Sequence, residues 1–104
     1  MERIAFKMKL NIGCAETYQL RHDEIWPELT QLLKEAGIND YSIFLDEETY
    51  TLFAVLKVPD TKKIDLLPAQ AIMKKWWAYM ADIMESNADN SPVSYLLKEV
   101  FYLH

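Results

Sequence analysis

Glycine is nearly missing from this chain, with two among 104 residues. A loop that wraps phosphate groups in backbone N–H donors needs several glycines close together, so their scarcity argues against that kind of nucleotide site. One cysteine, Cys14, allows no internal disulfide and no cysteine-based zinc site. Histidine is limited to two residues, without the H-x-x-x-H spacing that places two imidazoles on one helix face. Excess positive charge is also lacking: the net charge is -5, which disfavours nucleic acid as a partner. The opening MERIAFK carries charges within its short apolar pattern, so it reads as neither a signal peptide nor a membrane span. The expectation is one cytoplasmic domain over residues 1–104.

Apolar residues are abundant at 51%, enough to build a core, and their spacing is orderly. In RIAFKMKL (3–10), Ile4, Phe6, Met8 and Leu10 alternate with Arg3, Lys7 and Lys9, the pattern of a half-buried strand. From about Ala15 to Ala36 the period changes. Tyr18, His22, Ile25, Leu29, Leu32 and Ala36 form the stripe of an amphipathic helix, which Pro27 should kink or split and Gly37 should end. DYSIFLD (40–46) and YTLFAVLKV (50–58) read as two strands joined by a turn at 47–49. Asp60 to about Glu85 forms a second helical region with a break or late start at Pro68, 86–92 is a loop, and LLKEVFYL (96–103) reads as the last strand.

The order β-α-β-β-α-β predicts an α+β, ferredoxin-like fold, with two helices on one face of a four-stranded antiparallel sheet. If Leu52, Ala54, Leu56 and Val58 face the helices, then Phe53 and Val55 point away from them, as do Phe44, Val100 and Tyr102 in their own strands. An open apolar sheet face usually marks an interface, so the expected assembly is a homodimer joined through its sheets, a dimeric α+β barrel.

Chemistry has few candidates. His22 shares a helix face with Tyr18 one turn earlier, and an imidazole both gives and takes protons near neutral pH. The pattern alone favours a satisfied core histidine, since the spacing is not specific. Tyr41 should point into the same helix–sheet layer, where a third polar tip suggests a cavity rather than solid core, although a tyrosine bonded to backbone is the plainer reading. In KKWWAYM (74–80), Trp76 lies at the centre of the buried stripe and Trp77 about 100° away at its margin. Two such rings serve equally as core and contact residues or as the lip of a sugar pocket. DNSP (89–92) is expected to form an Asx-type turn, and Asp46 closes the second strand.

YQLRHDEIWPEL (18–29), NDYSIFLD (39–46), KKWWAYMADIM (74–84) and NADNSPVSYLLKEVFYL (87–103) together closely resemble the L-rhamnose mutarotase family, nearly end to end. Gln70, before the second helix, and Ala88 depart from the pattern without touching a candidate residue. The resemblance implies a cytoplasmic, cofactor-free homodimer that interconverts the α and β anomers of L-rhamnose. It carries the proton-transferring role to His22 and sugar binding to Tyr18, Tyr41, Trp76 and Trp77. On this reading His22 is the principal acid, with Tyr18 bonding to the sugar or sharing the relay. A small monooxygenase or haem-degrading enzyme of the same barrel type, and a sugar-binding module without catalysis, are the competing readings.

Overall fold

The structure is a computed structural model that describes residues 2–104. Strand β1 (Glu2–Lys9) leads into helix α1 (Ala15–Asp23), helix α2 (Pro27–Glu35), and strands β2 (Asn39–Asp46) and β3 (Thr51–Val58). A 3-10 segment over Thr61–Ala69, helix α3 (Ala71–Met80), a 3-10 turn at Ala81–Ile83 and strand β4 (Ser94–Leu96) complete the chain. The sheet has the order β2-β3-β1-β4, with every neighbouring pair antiparallel. This is the ferredoxin-like arrangement expected from the alternation of periods.

Strand pleat decides where the core sits. β1 pairs with β3 along its whole length, from Glu2 opposite Val58 to Lys9 opposite Thr51. Met8, Leu52, Ala54, Leu56 and Val58 are buried on the face covered by Leu29 of α2 and by Met73, Trp76 and Met80 of α3. The intervening residues point outward, and Phe44 and Phe53, directly opposite each other, are 63% and 36% exposed. The open apolar face expected from the sequence is present in β2 and β3.

The two prolines of the helical regions act as breaks. Trp26 is extended, as a residue before proline must be, and Pro27 takes the first helical position, so the long stripe becomes two helices. Pro68 lies in the 3-10 segment, and the α-helix proper spans only Ala71–Met80 of the expected 60–85 region. Gln70 occupies the cap position without a side-chain bond to the helix. Gly37 ends α2 with φ +83°, and a Cβ there would lie 2.8 Å from Pro59 Cδ.

One expectation is corrected. The sequence pattern predicts a last strand over 96–103, but pairing with β1 covers Ser94–Leu96 only, followed by a bond from Leu97 N–H to Ala5 C=O at 2.8 Å. Further on, contact with β1 passes to side chains: Glu99 is 3.8 Å from Arg3, whose guanidinium lies 4.1 Å above the Tyr102 ring. β4 is an edge strand with a neighbour on one side, and Val100, Phe101 and Leu103 are exposed. Among the described residues no helix is long and apolar enough to cross a membrane.

Candidate active site

α1 carries two of the candidate groups and has little else to hold it. Tyr18 is its one buried residue. His22 stands one turn further along, half-buried, with Nδ1 3.0 Å from the Tyr18 carbonyl oxygen. The two rings lie against each other, centroids 4.3 Å apart and tilted by 31°. From α3, Trp76 meets the imidazole edge to face at 5.4 Å and 90°. Trp76 is itself wedged against Trp26 and Tyr79, at 5.1 and 5.8 Å. Trp77 is half-buried at the margin of the same helix face, as helical geometry required.

Tyr41 arrives from the sheet. Strand pairing slips between Asn39 and Ser42, with Asp40 at φ +49°, and the register resumes with Ser42 opposite Val55 on the outer face. Tyr41 therefore turns to the helix side. Tyr18, His22, Tyr41, Trp76 and Trp77 all line one cavity of about 1910 Å³ between sheet and helices. The fold thus brings together all five residues singled out in the sequence.

Electrostatics separates their capacities. Burial holds the His22 pKa below its usual 6.5, against the opposing effects of the Tyr18 carbonyl and the nearby Asp23. The imidazole is neutral at pH 7. Burial also pushes the Tyr18 phenol well above its usual 10, with Tyr41 adding to the rise. Tyr41 exposes 39% of its surface, yet its hydroxyl end is desolvated and its pKa is pushed up to about 12. Both phenols stay protonated at neutral pH and keep an O–H able to donate a hydrogen bond.

Other polar residues fall into place around them. Asp46 accepts bonds from Glu48 N–H and the Thr49 hydroxyl, at 3.1 and 2.9 Å, and thereby fixes the β2–β3 turn. The expected Asx-type turn at DNSP forms through Ser91 N–H and Asp89 Oδ1, 3.0 Å apart. Asn87 Nδ2 donates to Ser91 Oγ, and Asn87, Asp89 and Ser91 also line the cavity. Bonds from Ser91 hold the Asp89 carboxyl below the usual carboxylate range. Among the described residues no group of three or more His, Cys, Asp or Glu side chains could hold a metal ion.

Sequence reasoning missed Arg21 and Trp26. Arg21 donates from Nη1 and Nη2 to the two Asp82 carboxylate oxygens, at 2.8 and 3.2 Å, and from Nη1 to the Tyr79 carbonyl at 2.8 Å. Its partner stands 61 residues away, so no local spacing announced it. Trp26 had a usable signal: it follows His22 by four residues, just before the helix-splitting proline.

Comparison with known proteins concerns the chain as a whole. The family model for L-rhamnose mutarotase matches residues 3–103. The L-rhamnose mutarotase of Sinorhizobium fredii is 61% identical over 103 residues, 99% of each chain. The crystal structure of L-rhamnose mutarotase from Formosa agariphila is 58% identical, covers all of both chains and superposes with a TM-score of 0.93. A dimeric ferredoxin-like protein from an uncultured marine organism covers 97% of this chain and 96% of its own, with a TM-score of 0.55. At 14% identity that likeness concerns the fold alone. On the strength of the full-length match, this chain belongs to the L-rhamnose mutarotase family.

Proposed function

We propose that the protein interconverts the α and β anomers of L-rhamnopyranose and that His22 carries the proton. Family membership supplies the sugar. One observation carries the choice of His22: its Nδ1 is committed to the Tyr18 carbonyl while the ring stays neutral inside the cavity. With Nδ1–H donating, the lone pair resides on Nε2.

Nε2 takes the proton of the anomeric hydroxyl as the bond from the anomeric carbon to the ring oxygen breaks. The electron pair of that bond goes to the ring oxygen, which receives the proton from the imidazolium. Both oxygens are attached to the anomeric carbon, so one nitrogen reaches each in turn. The open aldehyde rotates, and the same steps run backwards on its other face. His22 is thus base and then acid in each half of the cycle, and no proton is gained or lost overall. Tyr18 and Tyr41 keep their protons and donate hydrogen bonds to sugar oxygens. Trp76 and Trp77 offer apolar surface suited to the C–H face and methyl group of a 6-deoxy sugar.

The same reading includes a homodimer joined through the outer sheet face, a cofactor-free reaction and a cytoplasmic location. The exposed Phe44–Phe53 pair supports the first, and family resemblance supports the other two.

Magnetisation-transfer NMR between the two anomeric protons of L-rhamnose tests the proposal. Wild-type protein should accelerate exchange, and His22→Ala should slow it by about 10²–10⁴, the usual worth of general acid–base help, with an unchanged circular dichroism spectrum. Exchange at the wild-type rate in His22→Ala would remove His22 from the mechanism. Rhamnose binding without acceleration by the wild type would leave a sugar-binding module.

A further inference from the structure

α1 presents a physical problem. It has nine residues, buries only Tyr18 and lacks a side-chain cap at its start, yet it carries both Tyr18 and His22. A helix this short does not hold itself in place, and its position must come from tertiary contacts. Two sets of bonds supply them, and both end on the last turn of α3 or the 3-10 turn that follows it. Before α1, Asn11 N–H donates to the Ile83 carbonyl at 2.8 Å, and Asn11 Nδ2 donates to the Asp82 carbonyl at 3.3 Å. Near the end of α1, Arg21 grips the Asp82 carboxylate with two nitrogens and the Tyr79 carbonyl with one of them. Its guanidinium also lies 4.5 Å over the Tyr79 ring.

We propose that Arg21 is a positioning residue for catalysis: its clamp on Asp82 and Tyr79 locks the last turn of α1 against α3 and so holds the His22 imidazole edge-on to Trp76. The proposal rests on the assignment of His22 given above. Three features make the contact a clamp rather than a surface ion pair. The guanidinium fork matches the carboxylate bidentately, which fixes orientation as well as distance. The Arg21 side chain is only 16% exposed, so its guanidinium is held against the chain even though the Asp82 side chain is 65% exposed to water. The Tyr79 carbonyl belongs to the last turn of α3, where backbone acceptors lack helical partners and favour a cation. Arg21 immediately precedes His22, so a displacement of its backbone moves the imidazole with it.

The groups that set the His22 protonation are the Tyr18 carbonyl and Asp23, both of α1, together with the burial to which Trp76 of α3 contributes. The Arg21 charge is not among them. Loosening the clamp therefore acts on His22 through its burial. Arg21→Ala should lower kcat by about tenfold to hundredfold, the penalty of misplacing a reacting group by around an ångström, with little change in KM. It should also move the acidic limb of kcat/KM, and the His22 titration followed by NMR, up toward pH 6.5. Arg21→Lys keeps the charge without the fork and should resemble Arg21→Ala. Asp82→Ala leaves the Tyr79 bond in place and should shift both readouts in the same direction by less.

A purely structural role predicts something else: lower thermal stability with the titration unmoved, and that result would overturn the proposal. Full recovery of both readouts by lysine would overturn it as well. If wild-type protein exchanges no anomers, the assigned activity fails, whereas the NMR titration still reports on the clamp.

Discussion

At the scale of single residues, His22 couples the site to the stability of the fold. Burial lowers its pKa in the folded chain below the 6.5 of a free imidazole. Between those two values the unfolded chain binds the proton and the folded chain does not, so stability rises with pH. The contribution is complete above about pH 6.5 and is lost as pH falls from there toward the folded value. His22→Gln, which carries no titratable group, should remove this component. Urea midpoints of the two proteins measured from about pH 5 to pH 8 should therefore keep a constant difference above about pH 6.5, and below it the wild type should lose stability relative to the variant. Parallel curves would mean that His22 is solvated in the folded chain. The same lowered pKa keeps the imidazole in its base form at neutral pH, so one burial sets both effects.

Elements place these residues, and the two tryptophans of α3 show how helix geometry divides their work. Trp76 is 6% exposed and touches His22, Trp26 and Tyr79, whereas Trp77 sits at the edge of the buried face. Trp76→Ala should cost about 3–5 kcal/mol of stability, as for other large core truncations. Trp77→Ala should cost less and act chiefly on KM for L-rhamnose. Thermal melts paired with anomer-exchange kinetics distinguish the two; equal losses of stability would refute the division. That division was legible in the sequence, because an offset of about 100° per residue follows from any helix. So were the Tyr18–His22 face, the Pro27 split and the alternation of β1 and β3. Arg21 was not, since its partners are set by how α1 crosses the end of α3, a tertiary fact with no local period. The strand expected over 96–103 failed for a related reason. Alternating apolar residues announce a surface that wants covering, whereas the ladder on β1 stops at Leu96, with one further bond at Leu97, although β1 itself runs on to Glu2.

For the whole molecule, the outer sheet face poses the remaining energetic question. Phe44 pairs across strands with Phe53, which pairs with Lys7, which pairs with Tyr95, so one row crosses the entire sheet. Beside it, Val55 lies opposite Ala5, and Val100, Phe101 and Leu103 extend the exposed apolar surface along the tail. Core packing cannot use these side chains, because the pleat turns them away from the helices. A second copy of the same face would cover them. Phe53→Lys sets a like charge directly opposite Lys7 in the middle of that row, where cross-strand repulsion and desolvation both oppose association. The site itself lies on the other side of the sheet, so this substitution does not enter the cavity. Light scattering on a sizing column should give twice the 12.2 kDa chain mass for wild type and once that mass for the variant. The wild-type melting temperature should rise with protein concentration, since association stabilises only folded chains, and that of the variant should not. A wild type that elutes at the chain mass, with a melting temperature independent of concentration, would rule the dimer out and leave the apolar row facing water.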